Sequence, residues 1–505
     1  MLESKQIGIW LTIGVYLILL IAVGIWTGRK SKSVADFTVG GRQAGAWLSA
    51  LSYGTAYFSA VMFVGYAGGT GLKYGLWGIL AGIGNAIFGS YFAWKVLARR
   101  TRDVSARLKL KTMPQFFELR YGSRAMKIFA CIVIFVFMVP YSASVYKGLA
   151  SVADVLLGID YKICMVMIAV LAALLLLFGG YLVQARADFV QGIIMMFGIA
   201  LLILFVIRSN QVGGFAGVAE YMRSEHGFAP MSGSNWVALW ATVLMTSFGT
   251  WGLPQMIQKY FGIRDDQQAK RGIKISTFFA FLVAGGGYFI GSLCYRYFTA
   301  DQMAQMGQDY IVPTLLKETG LPTVLLGIVL MLLIAASVST LCSVTLTASS
   351  TLSMDFIRPL KNMQDKSVRT LTKILCVLFI IVSYVVANTD TPILDMMSYS
   401  WGIISGSFLA PYVLALFYKK LSKGGAWCGI LGGFCTAIIP AACKIMTLCG
   451  SQAPQVVKLA GFGPQFACLA MIISIVFCLV GSAIFHSEKD ASVQEFFYKG
   501  LVETE

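Results

Sequence analysis

The stretch Ile334-Ala-Ala-Ser-Val-Ser-Thr-Leu-Cys-Ser-Val-Thr-Leu-Thr-Ala-Ser-Ser-Thr351 directly follows the apolar run Val324 to Leu333. A membrane-length helix does not need this many hydroxyls to sit in lipid. In helical register Ala336, Ser339, Thr340, Ser343 and Thr347 recur every three or four residues, so they share one face. A hydroxyl in a membrane helix commonly bonds back to the carbonyl four residues earlier or lets a neighbouring helix approach. The clustering here reads instead as part of an ion site.

Composition sets the class around that stretch. With 57% hydrophobic and 12% charged residues in 505, and a mean hydropathy of +0.75, the chain is expected to be an all-α polytopic membrane protein. The net charge of +17 comes from Lys and Arg in short clusters between apolar runs, which is a topology signal and not a nucleic-acid surface. The eleven Cys fall mostly inside apolar runs (Cys131, Cys164, Cys342, Cys376, Cys435, Cys478), without metal-ligand spacing. Two His, His226 and His486, lie in loop or tail sequence. A membrane-embedded enzyme would lack convergent His, Cys or carboxylates at membrane depth.

Apolar stretches near twenty residues number about thirteen. They fall at 6–27, 45–71, 75–98, 125–150, 161–182, 187–207, 235–258, 273–298, 322–349, 370–388, 394–418, 425–448 and 462–485. The first is too long for a signal peptide and ends in the basic run Gly28-Arg-Lys-Ser-Lys32. Alternate loops (Arg29 to Arg42, Arg99 to Lys127, Lys259 to Lys274, Arg358 to Lys373, Lys419 to Lys423) and the tail hold roughly thirty of the forty Lys and Arg. That side is expected to be cytoplasmic, with the N-terminus outside and the C-terminus inside a plasma (inner) membrane.

Two spans are interrupted. The second carries Ser52-Tyr-Gly-Thr-Ala-Tyr-Phe-Ser-Ala60 and Gly65-Tyr-Ala-Gly-Gly-Thr-Gly71; the seventh carries Gly249-Thr-Trp-Gly-Leu-Pro254. Gly and Pro in mid-span free carbonyls that only protein or a water-lined cavity can receive. Interrupted spans five apart are the layout of an inverted five-plus-five repeat around a central site, the alternative being ordinary kinks. The expected organisation is 1–44 first helix and cytoplasmic linker, 45–207 first repeat, 208–234 extracellular loop, 235–418 second repeat, and 419–505 two peripheral helices and tail.

Five stretches in order resemble the sodium:solute symporter family, over about Tyr16 to Lys423. They are Gly40-Gly-Arg42, Ala50-Leu-Ser-Tyr-Gly54, Gly179-Gly-Tyr-Leu-Val-Gln-Ala-Arg-Ala-Asp-Phe-Val-Gln191, Ala335-Ala-Ser-Val-Ser-Thr340 and Ser398-Tyr-Ser-Trp-Gly402. The resemblance implies a LeuT-type fold of about thirteen transmembrane helices, with a sodium ion between the second and ninth spans. Its ligands would be the backbone carbonyls of Thr55, Phe58 and Ala336 and the hydroxyls of Ser339 and Thr340. An uncharged set of hard oxygens suits sodium and allows its release.

Asp188 is the second focus, because an acid in a membrane segment costs about 2.5–3.5 kcal/mol on insertion scales. It either pairs with nearby Arg186 or, as the resemblance implies, lines a sodium exit route or a second sodium site with Ser339 and Ser343. Cys342 stands where that site would want a further hydroxyl. For substrate binding or gating the resemblance implies Tyr57, Ser59, Thr250, Trp251, Pro254, Gln255 and Tyr399. Tyr57 replaces an acid of the proline carriers, which argues against proline. Lys147, in Tyr141-Ser-Ala-Ser-Val-Tyr-Lys147, either snorkels to outer headgroups or meets a substrate carboxylate.

The expected activity is sodium-coupled uptake of a small polar solute by alternating access, with no nucleic-acid partner and with the chain acting as a monomer. Proton coupling on the same scaffold, or a transporter-like sensor, are the alternatives.

Overall fold

The computed structural model describes residues 2–28, 40–228, 230–485 and 488–498. The basic run 29–32 and His486 lie outside them. The described residues are helical apart from short connections and one isolated bridge, Ala44 to Ile263. Nine helices among them are long and apolar enough to cross a membrane, and a bent pair, Gly233–Trp251 with Pro254–Phe261, makes a tenth. Large apolar side chains such as Ile18, Phe197, Val385 and Ile484 face outward, as a bilayer requires and water would not favour.

The hydroxyl-rich stretch lies in the helix Thr323–Thr351, with every residue from Ala335 onward buried. It packs against Leu2–Gly28, Ala46–Tyr57, Arg124–Leu157 and Tyr161–Arg208. It is the axis of the molecule. The last two apolar helices, Lys423–Leu448 and Gly463–Ile484, pair with each other and lean on Ile393–Phe417, at the periphery.

Local sequence explains the ends. Ser123 accepts from the Met126 amide to start Arg124–Leu157, and Gly158, at φ +64°, ends it. Asp160 then caps the next helix through the Lys162 and Ile163 amides. The Gly40-Gly-Arg42 motif turns the chain into its second span, and Arg42 donates to Ser105 Oγ and the Leu110 carbonyl.

At two junctions between expected spans the helices join without a loop. Helical hydrogen bonding runs unbroken through Tyr161–Arg208, where two spans were expected at 161–182 and 187–207. No proline falls between them to remove a donor. The second and third expected spans meet at Gly75 with only a short tight-helical turn between them. Gly75 has φ +54°, and a Cβ there would stand 2.1 Å from the His226 carbonyl oxygen.

The second and seventh spans are both interrupted, although the stretch 65–71 of the second stays helical. The second span stops at Tyr57, passes Phe58 and Ser59 without helix, and resumes at Ala60. The seventh breaks at Gly252–Leu253 and bends by 41°. Just beyond the first break, Gly71 and Gly291 bring two helices into backbone contact: a Cβ on Gly71 would lie 2.1 Å from the Gly291 oxygen, and one on Gly291 2.3 Å from the Ala67 oxygen. Gly291→Val is therefore expected to cost about 1–3 kcal/mol. Melting of the detergent-purified protein, followed by size-exclusion chromatography, should drop by several degrees; an unchanged midpoint would mean the two helices separate freely.

Candidate functional site

Where the hydroxyl face meets the broken second span, four of the five expected sodium ligands converge. Thr340 Oγ1 lies 3.1 Å from the Thr55 carbonyl oxygen and 3.0 Å from that of Ala336. Ser339 Oγ lies 2.9 Å from Thr55 Oγ1. Thr55 thus enters through its side chain as well as its backbone. Phe58, the fifth, leaves the helix in extended conformation (φ −104°, ψ 103°), and the Met62 amide that would bond its carbonyl in a continuous helix goes to Ser59 instead. Ordinary helical sequence cannot free carbonyls in this way; the break does. The donors are all uncharged oxygens, a set that fits sodium.

Asp188 lies beside this group, fully buried. It does not pair with Arg186, whose guanidinium faces Thr27 and the Trp26 ring. Its partner is Lys259, 2% exposed, with Nζ at 3.1 Å from Oδ2. Ser52 Oγ donates to the same oxygen at 2.5 Å and accepts from Lys259 at 2.8 Å. Ser339 donates to Oδ1 at 2.6 Å. Gln184, its amide oriented with oxygen toward the donors, accepts from the Ser343 amide at 3.0 Å and from Lys259 at 3.3 Å. The ammonium also stands 5.2 Å over the Tyr181 ring. Ser343, expected beside Asp188, reaches this cluster through Gln184.

Lys259 escaped the sequence reading because it opens a basic cluster and counted toward the cytoplasmic loop. A signal existed. Gln255, Gln258 and Lys259 recur at helical spacing in the buried run Pro254–Phe261, giving that short helix a polar face. Gln258 accepts from Thr347 at 2.7 Å, so the lower part of the hydroxyl face is partnered by this helix. Gln255 is 1% exposed, and neither end of its amide has a hydrogen-bond partner among the described residues.

The other solute-facing candidates are spread more widely. Tyr57 stacks on Phe58 at 4.1 Å, lies 6.0 Å from Trp401 and donates to the Thr246 carbonyl. Thr250 donates to the Ser247 carbonyl and Trp251 to that of Phe88, both in the seventh-span break that Pro254 closes. Ser59 accepts from the Val61 amide within the first break. Tyr399 is farther out, donating to the Ala460 carbonyl against the peripheral helices. Lys147 donates to the Thr389 and Thr391 carbonyls and lines a separate cavity of about 330 Å³ with Asp309, Tyr310 and Asp390. In that cavity burial pushes the Asp309 carboxyl above its ordinary value.

A model of the sodium:solute symporter family matches residues 37–433. The chain belongs to the sodium:solute symporter family. It is thus a multi-pass membrane transporter and not an enzyme, and sodium is the coupling ion of its family. The high-affinity proline transporter PutP of Bacillus subtilis (strain 168) is 28% identical over 431 residues, covering 83% of this chain and 89% of that one. The osmoregulated proline transporter OpuE of the same organism is 26% identical over 445 residues, 86% and 89%. The sodium/proline symporter of Escherichia coli (strain K12) is 25% identical over 441 residues, 85% and 86%. A substrate-bound, outward-open Na+-coupled sialic acid symporter superposes with a TM-score of 0.77 at 16% identity, over 95% of this chain and 98% of that one. That likeness shows the fold, which is LeuT-type.

Removing one partner of a buried ion pair leaves an uncompensated charge, at a cost of about 3–5 kcal/mol. Asp188→Asn alone should therefore melt well below the wild-type symporter. Asp188→Asn combined with Lys259→Met should recover most of that loss. Equal midpoints for the single and double variants would show that the pair is not coupled.

Proposed function

We propose that this symporter takes up a small polar organic solute together with sodium by alternating access. The carrying observation is the convergence of Thr55, Ala336, Ser339 and Thr340 at the helix break. Sodium bound there bridges the hydroxyl-rich helix to the broken second span, so occupancy biases how the two sit against each other. By linkage, an arrangement that binds sodium better also binds the solute better, and the converse holds. At about 100 mV one sodium gains roughly 2.3 kcal/mol, and a tenfold gradient adds about 1.4 kcal/mol. One ion then supports accumulation of a neutral solute on the order of several hundredfold.

The repeats 45–207 and 235–418 supply one broken span each, and the solute sits between the breaks. Gln255 is its hydrogen-bonding residue: a buried amide without a partner is costly unless a ligand satisfies it. Tyr57, Ser59, Thr250 and Trp251 shape or gate the same region, and Lys147 guards the outer vestibule with Asp309. With the basic loops taken as cytoplasmic, the N-terminus is outside and the tail inside on this reading. The solute belongs to the amino acids, organic acids, sugar acids or vitamins. Proline, which the named relatives carry, is one candidate among these, and Tyr57 in place of an acid argues against it.

A thermal-shift screen of the purified protein against those classes, in sodium and in choline at fixed pH, tests this reading. A solute that stabilises only in sodium supports it; equal shifts in choline that vary when the screen is repeated at a second pH would establish proton coupling instead. In the Ser339→Ala/Thr340→Ala variant the sodium concentration for half-maximal uptake should rise on the order of tenfold, from two lost ligand hydroxyls. Unaltered sodium dependence would remove those hydroxyls from the site. Gln255→Leu should abolish the solute-induced shift while leaving the sodium-induced shift intact, and a retained solute shift would place the solute elsewhere.

A further inference from the structure

The acceptors around Lys259 form a cation site in their own right. Asp188 Oδ2, Ser52 Oγ and Gln184 Oε1 lie 3.1, 2.8 and 3.3 Å from Nζ, so each of the three ammonium N–H donors has an oxygen. One of the three is a carboxylate, and the whole set is buried. These groups come from three separate segments: Ser52 from Ala46–Tyr57, Gln184 and Asp188 from Tyr161–Arg208, and Lys259 from Pro254–Phe261. The cluster touches the sodium ligands through Ser339, which donates to Asp188 Oδ1 and lies against Thr55 Oγ1.

We propose that Lys259 is a tethered cation, occupying through its ammonium the acidic site that a second sodium would otherwise take, and so limiting this symporter to one sodium per solute. The inference rests on the sodium reading above and sharpens it. A carboxylate beside hydroxyls and an amide oxygen is the most attractive place for a cation near the break. With Lys259 bound there the cluster is neutral and its acceptors are engaged. A second sodium would have to displace an ammonium held by covalent linkage at very high effective concentration, or sit beside it and be repelled. The neighbouring sodium site has no charge of its own and is untouched by Lys259. Cys342 on the same helix face offers a sulfur where a hard ion prefers oxygen, which weakens the case for a second ion independently.

Counting bound ions decides the matter without knowing the solute. Radiolabelled sodium, titrated onto the purified full-length protein at constant ionic strength with choline, should saturate at one per wild-type chain with a Hill coefficient of one. In Lys259→Met the count should rise to two, and sodium should raise the melting midpoint of that variant by more than it raises that of wild type. If Lys259→Met does not purify folded, Lys259→Gln, which keeps a donor without charge, carries the same expectation. Two sodium ions per wild-type chain would overturn the tethered cation while leaving sodium coupling intact. A folded Lys259 variant that still binds one would overturn it equally. Wild-type protein that binds no sodium would instead overturn the sodium reading itself.

Discussion

The molecule depends on how it holds one negative charge. Asp188 is inaccessible to water in the middle of a helix, where an unpaired carboxylate would be very costly. Its partners come from several directions: Ser52 from the broken second span, Ser339 from the hydroxyl-rich helix and Lys259 from the second half of the broken seventh span. Each contact is charge-assisted, the stronger class of hydrogen bond. Because the partners sit on elements that are far apart in sequence, satisfying the carboxylate fixes those elements relative to one another. Stacking of Tyr53 on Tyr260 at 5.5 Å joins the same two half-helices a short way along.

The neutral oxygen cage is adjacent to this charge and distinct from it. Thr340 faces the carbonyls that the break releases, whereas Ser339, one residue earlier, faces the carboxylate. Ser339 therefore belongs to both groups. A change at the cage that moves Ser339 is felt at Asp188, and through it at both broken spans. If sodium binds at the cage as proposed, this is a physical connection between the ion and both broken spans, made of hydrogen bonds and not of proximity alone.

Much of this was legible in the sequence, for identifiable reasons. Gly and Pro marked the seventh-span break because they act on the backbone directly, whereas the second span breaks at Phe58 and Ser59, four residues past Gly54, and stays helical through 65–71. The hydroxyl face was visible because serine and threonine are conspicuous at helical spacing in an apolar run. Asp188 stood out by its cost. What sequence reading could not supply was the partner: Arg186 is two residues away along the chain, yet two residues along a helix point to different sides. Lys259 is distant in sequence and sits among residues that report topology, and only tertiary packing brings it to the carboxylate. The continuity of Tyr161–Arg208 was missed for the opposite reason, since a drop in hydropathy marks a change of surroundings without requiring a break in hydrogen bonding.

The short helix Pro254–Phe261 shows how one polar face can serve several tasks. Lys259 answers the charge, Gln258 answers Thr347 on the hydroxyl-rich helix, and Gln255, one turn back toward the break, has no hydrogen-bond partner among the described residues. Partnered groups fix a helix in place; an unpartnered buried group asks for a ligand. On the proposed solute site, the order along the helix runs from recognition at the break to anchorage at its far end. A solute engaging Gln255, as proposed, would act on a helix that also contacts Ser52 of the second span, Asp188 and Thr347 of the hydroxyl-rich helix. On the proposed sites, solute and ion would be coupled through the eight residues of this helix, a short and fully buried connection.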